Sequence, residues 1–134
     1  MNKCVIILDE NLPLGLLANA SAVLAMTIGK RVDGIIGDDI VDGSGNNHLG
    51  ITRSVLPILK TSSSNLMAIC NIAKKSGEIT VVDFCDVAQR SRKYEDYKTL
   101  LENLDAEQLN YVGIALYGNK ERVNSLSGSL PLLR

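Results

Sequence analysis

Two carboxylates three positions apart, Asp83 and Asp86, follow the apolar run Ile79–Phe84 and could supply acid–base chemistry. In the same place they could instead serve as caps or turn residues, with Asp86 capping a turn over Val87–Gln89. Asn19 lies in an otherwise apolar stretch, so its amide must bind backbone at a strand–turn junction or point into a cleft near Asn11 and the Asp83–Asp86 segment. Arg90, Arg92 and Lys93 form the compact basic cluster of the chain, either a solvated surface or a seat for a phosphate-bearing ligand. His48, the single histidine, sits in a Gly/Asn-rich loop without the spacing of a metal site or a Ser/His/Asp triad. Asp38, Asp39 and Asp42 with Asn46 could surround a hard cation, but the twelve-residue calcium-loop pattern and its terminal Glu are missing. We therefore expect no metal and no cofactor.

Cys4, Cys70 and Cys85 are odd in number, widely spaced and each set in an apolar stretch. They read as reduced, buried small hydrophobes. Cys85 is the best candidate for a reactive thiol, a chemistry that the charges of the neighbouring Asp83 and Asp86 oppose.

These residues must be positioned by a chain of 134 residues, enough for one domain with a substantial core. Hydrophobic residues make up 46% and aromatic ones 4%, with no Trp, so aliphatic packing dominates. Fourteen basic against fifteen acidic residues leave no overall field for nucleic acid. The longest apolar stretch, Leu12–Ile28, is interrupted by Asn19, Ser21 and Thr27. Asp9 and Glu10 stand where a signal peptide would continue its apolar run. A cytoplasmic protein without membrane attachment is expected.

Cys4–Leu8 is a continuous β-branched and apolar run, as in a strand covered on both faces. Pro13 and Gly15 mark a turn into a helix from about Leu16 to Ile28, with Gly29 at its C′ position. That helix is apolar around most of its circumference, which predicts packing on two sides, the sheet on one and a second helix or a partner subunit on the other, and so suggests a homodimer. Val41–His48 joins two short extended pieces, and Val55–Lys60 is extended, with Pro57 confining it to an edge. Ser62–Ser64 cap a helix with Leu66, Ile69, Ile72 and Ala73 on one face, ending at Gly77. Ile79–Phe84 is a further strand, Tyr94, Tyr97, Leu100, Leu101 and Leu104 recur at helical spacing, and Tyr111–Tyr117 is the last strand. This order predicts a single α/β domain over 1–134: a three-layer α/β sandwich around a mixed, roughly four-stranded sheet.

Lys3–Gly15 with Ala18-Asn19-Ala20-Ser21-Ala22, Tyr111–Tyr117 and the Leu126–Leu133 ending together resemble the domain-of-unknown-function 2000 family. That family is similar in fold to type II peptidyl-tRNA hydrolase. The hydrolase leads a strand through an Asp-Leu-x-x-Gly-like turn, comparable to Asn11–Gly15, into an Ala-rich helix. It closes on a Thr-Gly-x-Leu-x-Leu element, comparable to Ser127–Leu132. After the Ile79–Phe84 strand the resemblance carries over only an acid, for which Asp83 and Asp86 compete; the candidate catalytic residues are Asn19, Asp83 and Asp86, and the candidate ligand-binding ones Asn11, Gly15, Gln89 and Arg90. The resemblance also implies lysines in the turn that serve the tRNA and the chemistry, yet Leu12–Asn19 contains none, and Val23 and Leu24 stand near the position of the hydrolase's helical histidine. A lost cation at developing negative charge typically removes several kcal/mol of stabilisation. The first functional reading is therefore a ligand-binding or non-enzymatic protein for a small molecule, with tRNA disfavoured. The second is a hydrolase of peptidyl-tRNA or a small acyl or aminoacyl compound, using Asp83 or Asp86 with Asn19.

Overall fold

The run Cys4-Val5-Ile6-Ile7-Leu8 forms the inner part of strand β1 (Asn2–Asp9) in a computed structural model that describes all 134 residues. Side chains alternate across a strand, so Val5 and Ile7 enter one apolar core and Cys4, Ile6 and Leu8 enter another on the opposite face. Both cores are needed because β1 is an inner strand. It pairs in parallel with β4 (Ile58–Thr61) and antiparallel with β6 (Tyr111–Asn119), and β6 pairs antiparallel with β5 (Thr80–Cys85). The order β4-β1-β6-β5 makes a mixed four-stranded sheet.

Helix α1 (Leu14–Arg31) covers the face of Cys4, Ile6 and Leu8 with Ala20, Leu24 and Ile28. The other face is covered by α2 (Ser63–Ser76), through Leu66, Ile69, Cys70 and Ala73, and by Val123 of α5 (Lys120–Ser127). Between β5 and β6 run the short α3 (Asp86–Arg90), α4 (Tyr94–Glu102) and a 3-10 turn at Ala106–Gln108. A small hairpin of β2 (Ile40–Val41) and β3 (Asn47–His48) fills the segment before β4. No helix is long and apolar enough to cross a membrane.

Two expectations are corrected. Helix α1 does not end at Ile28 with Gly29 as its C′ residue. It continues to Arg31, where Lys30 and Arg31 complement the helix dipole, and the left-handed conformation is adopted by Gly34 at φ 77° instead. Within the chain it packs on the sheet, with Leu16, Val23 and Met26 exposed, and no second helix of the chain covers them. On α2, Cys70 rather than Ile72 joins the core, and Ile72 is exposed. The caps of α2 are as expected: Ser62 Oγ accepts from Asn65 N–H at 3.2 Å, and Gly77 closes the helix at φ 69°.

The two strands most open to stray pairing are handled differently. β4, an edge strand that starts just after Pro57, is capped on its outer side by the C-terminal tail: Lys60 N–H donates to Pro131 O at 3.1 Å and Leu133 N–H to Ile58 O at 2.8 Å. At the other end of the sheet, Phe84 pairs with Gly113 but Cys85 with Tyr111, so Val112 is the extra residue of a β-bulge. Gly113 allows α1 to approach the sheet, since a Cβ there would lie 2.7 Å from Leu8 Cδ2 and 2.9 Å from Leu24 Cδ1, both fully buried. Gly113→Val should therefore overpack the α1 interface and lower the unfolding free energy by about 1–3 kcal/mol in denaturant titrations. An unchanged midpoint would mean that α1 is free to lift off.

Candidate functional site

At the C-terminal ends of β1 and β4 the chain leaves the sheet in opposite directions. α1 follows β1 onto one face, while α2 follows β4 onto the other. Parallel neighbours whose connections diverge leave a crevice between them. A cleft of about 500 Å³ opens there. Asp9 and Leu12 enter it from the β1–α1 turn, and Ser63, Ser64 and Met67 from the first turns of α2. Asp86 enters from the start of α3, and Asn110, Tyr111 and Val112 from the start of β6. Two carboxylates line it and no basic side chain does.

Main-chain and side-chain hydrogen bonds hold these pieces together. Asp9 Oδ1 accepts from Asn11 N–H at 3.0 Å, which fixes the turn, and Glu10 N–H donates to Thr61 O at 2.9 Å, which ties β1 to the end of β4. Asp86 N–H donates to Asn110 O at 2.9 Å, joining the start of α3 to the start of β6 across the bulge. The Asn65 side-chain amide donates to Thr61 Oγ1 at 2.8 Å, anchoring the first turn of α2. Ser63 and Ser64 open this helix, so their N–H groups have no partner within it and carry its positive end.

The two competing acids are separated by the strand's own geometry. Asp83 lies within β5, opposite Ile114, and receives a hydrogen bond from Lys74 Nζ of α2 at 2.5 Å. Lys74 Nζ is also 3.4 Å from the Tyr111 hydroxyl and 5.3 Å from the centre of its ring. Burial disfavours the Lys74 ammonium, but the Asp83 carboxylate outweighs it and holds the group above the ordinary lysine range. Burial, and then the Asp83 charge, push the Tyr111 phenol up, so it remains a neutral hydroxyl. Asp86, beyond the strand's end, is the acid that lines the cleft.

The other sequence candidates stand elsewhere. Asn19 is exposed on α1, and its Oδ1 accepts from Gln89 Nε2 at 3.3 Å. The same Gln89 amide donates to Leu16 O at 3.0 Å, so this pair fastens α3 to α1. Asn11 belongs to the turn beside the cleft, while Gly15, expected in that turn, lies in the first turn of α1, which starts at Leu14; neither lines the cleft. Arg90 borders a separate surface depression with Arg92 and Asp96. His48 Nε2 is 2.7 Å from Asp42 Oδ2 in the small hairpin, and this bond, with the N–H groups of Asn46 and Ser44, holds the Asp42 carboxyl below its ordinary value. Asp39 accepts from Gly50 N–H at 2.9 Å across the arms of the same segment. All three cysteines are free and buried, Cys85 included.

Asp9, Ser63, Ser64, Asn110 and Tyr111 were not singled out by residue type. Their signal was positional: an acid at the end of an all-apolar strand, and a serine run opening a helix just after another strand.

Residues 2–134 match the family described as "Protein of unknown function (DUF2000)", and the chain belongs to that family. No curated protein matches it. A solved structure, that of the protein of unknown function Atu0240 from Agrobacterium tumefaciens strain C58, is similar with a TM-score of 0.89 and 19% identity, over 98% of this chain and 96% of that one. At this identity the likeness concerns fold alone.

The thiols give a direct check of the packing around the cleft. Burial pushes Cys4 and Cys70 from 9.0 up to about 11. A thiol reagent near neutral pH should leave the native protein unlabelled and modify three cysteines once it is unfolded. Because the folded values lie above the unfolded one, the thiol contribution to stability is complete below pH 9 and declines as pH rises towards 11. Cys4→Ala with Cys70→Ala should flatten that alkaline limb of the stability curve. An identical slope would assign the limb to other groups.

Proposed function

We propose that the cleft at the C-terminal end of β1 binds a small acyl compound bearing a free amine, of the aminoacyl class, and that the protein holds this ligand without hydrolysing it. The observation that carries the reading is the position of the cleft at the diverging connections of β1 and β4, where two carboxylates and the opening turn of α2 line one cavity. Asp9 and Asp86 supply carboxylates for an ammonium group. The first turn of α2 supplies Ser63 and Ser64, their hydroxyls and the helix's positive end, for a carbonyl or carboxylate oxygen. Leu12, Met67 and Val112 offer apolar surface for a side chain.

On this reading the scaffold is related in fold to type II peptidyl-tRNA hydrolase but has exchanged its lysine-bearing turn for an acidic cleft. Two carboxylates without a cation repel a phosphate backbone, which argues against tRNA as the ligand. Hydrolysis through Asp83 or Asp86 with Asn19 is disfavoured for a related reason: Asp83 is engaged by Lys74 and Asn19 by Gln89, on different parts of the surface. Three buried free thiols suit a reducing, cytoplasmic setting.

Titration of the full chain with leucinamide, followed by amide NMR shifts, should move Asp9, Ser64, Asp86 and Asn110. N-acetyl-leucinamide, which lacks the charge, should not. Asp86→Asn should weaken leucinamide binding by about tenfold or more, the scale of one charge-assisted hydrogen bond. Equal binding of the two compounds would remove the proposed role of the carboxylates. Turnover of an N-blocked aminoacyl-tRNA would replace binding by hydrolysis.

We also infer a homodimer through the outer face of α1. Val23 and Met26, at 36% and 80% exposure, stand with exposed Leu16 on a helix whose outward face also carries Ala18 and Ala22. A second copy would cover this apolar surface. Light scattering should give twice the chain mass, and Val23→Asp with Met26→Asp should give a folded monomer. A wild-type monomer at high concentration would refute the dimer.

A further inference from the structure

A second cavity, of about 430 Å³, lies at the other end of β1. Its wall is built from three distant segments: Lys3 from β1, Arg53 with Ser54, Val55 and Pro57 from the loop before β4, and Lys120 from the first turn of α5. The fold brings them together because Lys3 pairs with Gly118 in the sheet, and Lys120 N–H then donates to Met1 O at 2.9 Å. The wall contains three basic side chains and no carboxylate, in a chain whose overall charge is −1.

These charges are poorly compensated. Lys3 is partly buried, and its Nζ donates to a neutral amide oxygen, Asn124 Oδ1, at 2.6 Å. Neither Lys3 nor Lys120 takes part in an ion pair. Arg53 reaches Asp38 at 3.5 Å, with those side chains 60% and 96% exposed, a contact that solvent screens almost completely. Three basic side chains on one wall, whose one counter-charge is the exposed Asp38, favour an anion with several acceptor oxygens. Beside them Val55 is exposed to 82% and Pro57 adds a second apolar surface. An inorganic ion would leave that part of the wall uncovered.

We propose that this cavity is an anion site for a small organic phosphate monoester: Lys3, Arg53 and Lys120 take the phosphate, and the organic group packs on Val55 and Pro57. The site is separate from the acidic cleft, since the length of β1, roughly 20–25 Å at 3.3 Å per residue, lies between them. The basic cluster at Arg90 and Arg92 is a weaker rival because Asp96 borders the same depression.

Amide NMR titration of the full chain with adenosine monophosphate tests the site. Shifts centred on Lys3, Ser54, Val55 and Lys120, with a dissociation constant at or below about 1 mM, are expected. Adenosine should not bind, and inorganic phosphate should bind more weakly than the monoester. Lys3→Gln with Lys120→Gln should weaken binding at least tenfold while leaving the far amides of β1 and the leucinamide response unchanged. Arg53→Gln, in an exposed loop, provides a second variant with the same expected direction and no burden on folding. Unchanged affinity in both variants, shifts centred on Arg90 and Arg92, or equal affinity for phosphate and the monoester would each overturn the proposal. So would preferential binding of a single-stranded oligonucleotide with a salt dependence reporting many phosphate contacts, since that describes an extended surface rather than a pocket.

Discussion

The rest of the molecule depends on β1 being satisfied on all four of its sides. Its two edges donate and accept hydrogen bonds, to β4 on one side and β6 on the other, and its two faces are sealed by α1 and by α2 with α5. Five consecutive residues, Cys4 to Leu8, are essentially without solvent contact. A charge anywhere in that run would be buried without a partner, at a cost of several kcal/mol. Polar chemistry is thereby pushed to the ends of the strand, and both polar cavities of interest sit there: Asp9 borders one and Lys3 borders the other. The two ends carry opposite charge, which a nearly neutral total conceals.

What makes one end a cleft is the mixed character of the sheet. A wholly antiparallel arrangement would return each strand through a tight connection and fill the space above it. Here the parallel β1–β4 pair forces helical crossovers, and the two helices depart to opposite faces. The β-bulge at Val112 then turns Tyr111 towards the α2 face, and Asp86 N–H meets Asn110 O where α3 begins. Asp86 reaches the cleft because the strand has ended before it. Asp83, still inside the pleat, is directed at α2 and meets Lys74.

Much of this architecture was legible in local pattern. The unbroken apolar run of β1, the serine cap and glycine stop of α2, and the two apolar strands near the end each follow from propensity and periodicity, and each forms near its expected place. The site was less legible because its members come from four separate segments. Nothing local distinguishes Asp9 from any acid after a strand, or Ser63 from any residue at the start of a helix. Their juxtaposition requires knowing that β1 and β4 are parallel neighbours. Asn19 misled for the opposite reason: a polar residue on an apolar helix looks functional until one-sided packing leaves it exposed, where it fastens Gln89. Gly29 reads as a stop for α1, yet its backbone is helical and the left-handed turn falls at Gly34.

The Lys74–Asp83–Tyr111 group bears on which acid is available for ligand. Lys74 is engaged by Asp83, with Tyr111 alongside, and Tyr111 forms part of the cleft wall. The ion pair therefore acts on the cleft only through the position of a neutral phenol, and contributes no free charge to it. Were Asp83 unpaired, its carboxylate would sit behind Tyr111 and add a third negative charge near Asp9 and Asp86. Lys74 cancels that charge with its ammonium over the ring, so the field within the cleft is set by Asp9, Asp86 and the opening turn of α2. The cleft thus combines two carboxylates with the positive end of a helix, a separation of charge that its net charge alone does not describe.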